Sequence, residues 1–267
     1  MNKIFRGTTM AAGTLATAGL LVTGAAFQAG ASPAAPSARA SAASATATAV
    51  RAGTAAQLAT AAYVAPKRTL HEGMSGSDVK ALQERLSALK YYAGGADGQF
   101  GPNTLEAVWA FQEVQGIGVD GVVGPVTGRA LVNPKSYQAR HPGGGALRVE
   151  VNLTKRVLVL YRGGAVALIS HISPGGGYRY CSSNGCAYAI TPTGNFHTTT
   201  YMAGWVTVPL GKMYNPVFFI GTTYAIHGDT DVPLAPASHG CVRIPMDIAA
   251  FFHTLVSSHG TPVYVYR

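Results

Sequence analysis

The hydrophobic period of this chain changes from helical to strand-like across a short Gly- and Pro-rich stretch, and that change divides it into two unlike halves. Upstream, Val79, Leu82, Leu86 and Leu89 recur at three- and four-residue steps behind Ser77. That spacing predicts an amphipathic helix of about 13 residues capped by Ser77. Pro102 stands where a first helical residue belongs, ahead of Leu105, Val108, Trp109 and Phe111, and its fixed φ suits that position. Downstream, Leu147, Val149, Val151 and Leu153 alternate with other residues, residues 156–161 continue as strand, and Gly163-Gly164 reads as a hairpin turn into residues 165–172. Apolar and aromatic runs at 205–208, 217–220, 224–227 and 263–266 share this two-residue texture, and only residues 246–256 read clearly as a helix. The expected fold class is α+β in two domains: a small three-helix bundle over residues 67–133, then a mostly β sandwich with one clear helix over residues 147–267. The connecting residues 134–146, which include His141-Pro142-Gly143-Gly144-Gly145, read as a flexible joint.

Neither half begins at the start of the chain. Residues 1–31 carry Lys3 and Arg6, then an apolar run from Met10 to Phe27, then small residues at Ala29-Gly30-Ala31. This is the pattern of a cleaved secretory signal, and the run is short and glycine-broken for a stable membrane span. Residues 32–66 are mostly Ala, Ser, Thr, Pro and Gly, with too little bulky apolar surface to offset the cost of ordering. An exported protein is therefore expected, not held in a membrane once the signal is removed.

Inside the helical half the sequence repeats itself. Asp97-Gly98-Gln99-Phe100-Gly101-Pro102-Asn103-Thr104 and Asp120-Gly121-Val122-Val123-Gly124-Pro125-Val126-Thr127 each turn the chain with glycines and launch a helix at Pro. With Leu82-Gln83-Glu84-Arg85-Leu86 upstream and Ala110-Phe111-Gln112 between them, residues 69–132 closely resemble the three-helix peptidoglycan-binding module of wall enzymes. The resemblance implies peptidoglycan glycan and stem peptides as partners. The formal charge of +9, lowered by two if Lys3 and Arg6 are removed, suits such an anionic polymer. Nucleic acid would fit electrostatically, but no recognition helix, aromatic-and-basic sheet signature or zinc finger is present to read it. The pattern specifies no oligomeric state.

The strand-rich half carries the chemistry. Ser238-His239-Gly240-Cys241-Val242-Arg243, preceded by Ile226-His227-Gly228, sets one cysteine among two histidines and an arginine. A thiol of ordinary pKa is only slightly ionised at neutral pH, so cysteine catalysis needs an imidazole to take the proton. His227, at a strand end, is the candidate base. Gly240 would let substrate approach closely and leave amide N–H groups for an oxyanion. Arg243, on the same face as Cys241 if the piece is extended, could hold a carboxylate. The three cysteines of the chain are an odd number for an oxidising compartment. Cys181 and Cys186 are expected to pair as a short loop staple, which leaves Cys241 reactive.

These motifs, with Thr191-Pro192-Thr193-Gly194 upstream, resemble the L,D-transpeptidase catalytic domain over residues 147–267. The resemblance implies Cys241 as nucleophile, His227 as base and the Gly228 carbonyl as the group that orients the imidazole. It places His239, Gly240 and Cys241 around the oxyanion, Ser238 toward substrate and Arg243 toward substrate or loop, with no metal and no cofactor. In that family the cysteine attacks the carbonyl linking the third stem residue to a terminal D-alanine, and passes the acyl group to a neighbouring amine as a 3→3 crosslink. Water as acceptor would make an L,D-carboxypeptidase. A zinc peptidoglycan hydrolase would instead draw ligands from His227, Asp229, Asp231, His239 and Cys241. Tyr178, Arg179 and Tyr180 could rim the cleft, and His171, His197, His253 and His259 read as non-catalytic.

Overall fold

The computed structural model describes residues 63–182 and 185–267. The expected signal, and the linker as far as residue 62, lie outside the described residues. The chain opens with three helices, α1 (Ser77–Ala88), α2 (Pro102–Gln115) and α3 (Pro125–Val132). Pro102 and Pro125 each occupy a helix's first turn. The start of α1 differs by one residue from the spacing's prediction: Gly76 precedes the helix and no side chain caps it. Asp78 accepts from the Val79 amide and pairs with Arg68 at 2.7 Å instead, which satisfies one of the first-turn donors from within the turn.

The internal repeat has a physical cause. Gln83 Nε2 donates to Asp97 Oδ1 (2.8 Å) and Thr104 Oγ1 (3.0 Å), while its Oε1 accepts from the Gly98 amide (2.8 Å). One repeat later, Gln112 Nε2 donates to Asp120 Oδ1 (2.8 Å) and Thr127 Oγ1 (3.1 Å), and its Oε1 accepts from the Gly121 amide (3.0 Å). Both glutamines are buried, so each needs such partners. Each copy is a glutamine fastening the glycine turn that launches the next helix.

The remainder is β1 (Arg148–Asn152), β2 (Val157–Arg162), β3 (Ala165–His171), β4 (Arg179–Ser182), β5 (Gly185–Tyr188), β6 (Gly194–His197), β7 (Thr200–Tyr201), β8 (Trp205–Val208), β9 (Gly211–Ile220), β10 (Tyr224–Asp229), β11 (Val242–Pro245), α4 (Met246–Leu255) and β12 (Pro262–Tyr266). One sheet runs β3-β2-β1-β12-β6, the other β11-β10-β9-β7 with β8 added on β9, and β4-β5 is a separate hairpin. Val149, Val151, Leu158 and Leu160 of the first sheet, Val217, Phe219, Ile226 and Val242 of the second, and Phe252 of α4 share one core.

Strand β2 shows why its sequence does not alternate in polarity. Leu158 and Leu160 face the sandwich core, whereas Val157, Val159 and Tyr161 join Tyr91 and Phe111 in the core of the helical half. A strand covered on both faces reads as a continuous apolar run. The Lys90 carbonyl also accepts from the Ile169 amide at 2.8 Å, extending the free edge of β3.

The joint expected to be flexible is fastened at both ends. Gln115 bonds the Lys135 amide (2.8 Å) and carbonyl (3.0 Å). The buried Glu150 carboxylate accepts from the Arg140 amide at 2.8 Å, and His141 stacks on Tyr264 at 4.2 Å. Tyr137 and Tyr266 join hydroxyls at 2.8 Å. Gly and Pro content signals a chain that can turn, but these contacts lie far apart in sequence. Among the described residues no helix is long and apolar enough to cross a membrane.

Candidate active site

Strands β10 and β11 lie parallel, with Ile226 opposite Val242 and His227 opposite Arg243. His227 lies inside β10 and not at its end as expected, while Cys241 directly precedes β11, so the register brings the histidine and the turn-borne cysteine close together near the start of one ladder. His227 is 4% exposed, and its Nδ1 lies 2.9 Å from the Gly228 carbonyl. A carbonyl only accepts, so Nδ1 carries the proton and Nε2 keeps its lone pair. Burial pushes the imidazole below its ordinary value; the Gly228 bond and Asp229 act the other way, and Arg243 adds to the depression.

Cys241 is the free cysteine of the described residues and is half-buried. Its Sγ accepts from the Ala225 amide at 3.4 Å and donates to the Thr223 carbonyl at 3.7 Å. Burial pushes this thiol up, against smaller opposing effects of the Ala225 amide and Arg243. Cys241 and His227 line one cavity of about 500 Å³. The hairpin of β8 and β9 forms one wall and the β4-β5 hairpin, disulfide-bonded between Cys181 and Cys186, another.

The turn that carries Cys241 is fastened from inside. Ser238 is 2% exposed; its hydroxyl donates to the Cys241 carbonyl at 2.5 Å and accepts from the Gly240 amide at 3.0 Å. Two expectations change with this. Ser238 has its hydroxyl committed to the turn and not to substrate, and the Gly240 amide is not left free but bonds that hydroxyl. Gly240 has φ +139° and leaves no room for a side chain: a Cβ would meet Tyr224 Cε1 at 2.8 Å and the Ile190 carbonyl at 2.9 Å. Thr191 is buried and explains the upstream Thr-Pro segment, since its hydroxyl donates to the Gly240 carbonyl (2.8 Å) and accepts from the Gly175 amide (2.9 Å).

Arg243 also differs from the carboxylate clamp expected of it. Its Nε meets Asp229 Oδ2 at 3.1 Å and its Nη1 donates to the Asp231 carbonyl at 3.2 Å. The carboxylate it holds is the protein's own, and it supports the loop. His239 stands edge-on to both Tyr180 (4.8 Å) and Tyr178 (5.5 Å), so the aromatic rim is packed against the turn. Among the described residues no three His, Cys, Asp or Glu side chains converge to hold a metal ion. Asp229 faces Arg243, and His227 Nδ1 faces a carbonyl, so the zinc arrangement is not assembled.

Sequence reading did not single out Tyr224, and it missed the roles of Thr191, quoted only within a motif, and of Asp229, weighed only as a zinc ligand. Asp229 shares a strand face with His227 by two-residue spacing, a signal that was present. The Thr191 contact spans 49 residues and had none.

Fold and site together describe a two-sheet domain with a thiol and a tautomer-fixed imidazole in one cleft, fused to a small helical module. The L,D-transpeptidase catalytic domain family matches residues 146–265, and the peptidoglycan binding domain family matches residues 75–131. The crystal structure of an L,D-transpeptidase from Xylanimonas cellulosilytica is 36% identical, covers 75% of this chain and 98% of its own, and superposes with a TM-score of 0.71. The chain belongs to the L,D-transpeptidase family. Shorter similarities reach other proteins. The N-acetylmuramoyl-L-alanine amidase CwlL of Bacillus licheniformis is 50% identical over 64 residues, 23% of this chain and 18% of that one. The zinc D-Ala-D-Ala carboxypeptidase of Streptomyces albus G is 48% identical over 63 residues, 22% of this chain and 24% of that one. The chain thus spans under a quarter of either protein's length.

Proposed function

We propose that this protein is an exported, wall-associated L,D-transpeptidase that forms 3→3 peptidoglycan crosslinks through a Cys241 thioester. The observation that carries the reading is the placement of Cys241 and His227 in one cavity, with the imidazole tautomer fixed by Gly228. As the substrate carbonyl arrives, His227 Nε2 takes the thiol proton and Sγ forms the bond to carbon. The oxyanion is met by backbone amides of the His239–Cys241 turn other than that of Gly240. The C–N bond then breaks, the imidazolium returns its proton to the departing D-alanine amine, and a thioester remains. A stem-peptide amine attacks the thioester and gives its excess proton to His227, which passes it to the departing Cys241 sulfur, so thiol and neutral imidazole are restored. Residues 67–133 are proposed to hold the glycan while residues 147–267 do the chemistry.

The test is mass spectrometry of products after incubation with a disaccharide tetrapeptide, alongside a Cys241→Ala variant. Dimers that have lost one D-alanine, absent from the variant, are expected. Tripeptide alone would redirect the acceptor to water and make the protein a carboxypeptidase, and turnover that survives Cys241→Ala would overturn the thioester.

A further inference from the structure

The loop between β10 and β11 determines where the turn Ser238-His239-Gly240-Cys241 sits, because it starts just past His227 and ends just before the nucleophile. Besides the Arg243 contacts, it is fastened at and just past the end of β3. Ser173 Oγ donates to the Ala235 carbonyl (2.9 Å) and accepts from the Ala237 amide (3.1 Å), while its main chain exchanges bonds with Arg243 at 3.1 Å each way. Two residues earlier, on the same side of the chain, His171 Nε2 lies 3.2 Å from the Pro233 carbonyl.

His171 is 1% exposed, and its other nitrogen, Nδ1, lies 3.1 Å from both carboxylate oxygens of Glu113. Glu113 belongs to α2, in the helical half, and is itself buried. A carbonyl only accepts, so Nε2 donates to Pro233, while Nδ1 and the Glu113 carboxyl share the other proton between them; burial pushes that carboxyl up, against the opposing effects of His171 and Arg156. Arg156 Nε reaches the same carboxylate at 3.3 Å, and the Trp109 ring stands edge-on to His171 at 5.4 Å. Such a buried, fully bonded pair fixes geometry more than it adds stability.

We infer that His171, anchored by Glu113 of the helical module, is a positioning residue that pins the loop at Pro233 and thereby sets Cys241 against its base. The module is then part of the frame of the active site as well as a wall anchor. The mechanism needs no direct contact of His171 with substrate: the chain of contact runs Glu113, His171, Pro233 carbonyl, loop, nucleophile turn. A displacement of the order of an ångström at the reacting atoms costs up to about a hundredfold in rate without much change in ground-state binding. The effect is therefore expected in kcat and not in KM.

The inference rests on the Cys241 reading above, so its test has two readouts. In the full chain, His171→Gln keeps a donor for Pro233 and loses the link to Glu113, and Glu113→Gln keeps one hydrogen bond to the ring but removes the carboxyl group. The melting temperature of each variant is measured, and kinetics with the tetrapeptide donor are run well below it. His171→Gln should lower kcat about tenfold or more with KM within about twofold, Glu113→Gln should lower it less, and the double variant should be no worse than His171→Gln alone. An unchanged kcat in folded variants, a loss confined to KM, or strictly additive losses would overturn the inference. The second readout is the rate at which iodoacetamide alkylates Cys241 at fixed pH, expected to change at least about threefold in His171→Gln. This readout needs no wall substrate: if the wild type fails to crosslink, the functional reading falls while the alkylation rates still decide the positioning role. Should His171→Gln not fold, Glu113→Gln carries both readouts in the same direction.

Discussion

Burial acts on Cys241 and His227 in opposite chemical senses but toward one resting state. It raises the thiol and lowers the imidazole, so both are neutral at neutral pH and the proton moves only as Sγ attacks. This distinguishes the site from one that holds a preformed thiolate–imidazolium pair. A depressed imidazole stays deprotonated further into acid, so kcat/KM for acylation should hold as pH falls through the ordinary imidazole value of about 6.5 and decline only below it. Alkylation of Cys241 by iodoacetamide, which needs the thiolate, should climb only above the ordinary thiol range. Fast alkylation at pH 6 with a flat profile would establish the ion pair and overturn the neutral resting state. At this scale the sequence picked out Cys241 and His227 by residue type and motif, and the structure sets both in one cavity. The occupation of Arg243 by Asp229 was not legible, since it follows from which strand ends meet in the β10–β11 ladder.

The cysteine spacing predicted a staple, but not what the staple carries. The β4-β5 hairpin adds little to any core: β5 is exposed along its length and β4 is at most half-buried. Its contacts run to the site, through Tyr178 and Tyr180 against His239 and through Cys186 in the cleft wall. Closing so short a loop constrains the hairpin locally more than it constrains the unfolded chain. Replacing both Cys181 and Cys186 with serine should therefore raise KM for the stem peptide about three- to tenfold. The melting temperature should stay within about 3 °C, because no core contact is lost. Steady-state kinetics beside a thermal melt read both, and a large fall in melting temperature with KM unchanged would make the staple a stability element instead. Local pattern found β1 to β3, β8 to β10, β12 and α4, whose apolar residues recur at helical spacing, but not β4 to β7 or β11. It could not place the hairpin over the nucleophile turn, since nothing in residues 179–188 encodes a partner some 50 residues away.

The whole molecule departs most from sequence expectation where its halves meet. Composition made residues 134–146 a joint, and the apolar run of β2 was the one legible sign that both faces of its sheet are covered. The contact is also charged. Glu106 of α2 is raised from 4.5 to about 7, by burial first, with His171 opposing and Asp247 and Glu72 adding to the rise. Asp247 belongs to α4 and is hydrogen-bonded by Asn103 of α2, so the acidic pair spans the two halves. The linkage has a definite sign. A carboxyl raised in the folded state favours folding while protonated, so its contribution is complete below about pH 4.5 and is lost as pH rises toward 7. At about 1.4 kcal/mol per pKa unit, and discounted for partial solvent access, the loss is about 1–3 kcal/mol. Glu106→Gln keeps the shape and cannot ionise, so it should melt several degrees above the wild type at pH 8 and within about a degree of it at pH 4.5. Paired thermal melts at the two pH values decide the matter. A shift of equal size at both would mean that the substitution acts through packing, and that the carboxylate at the contact between the halves carries no charge penalty.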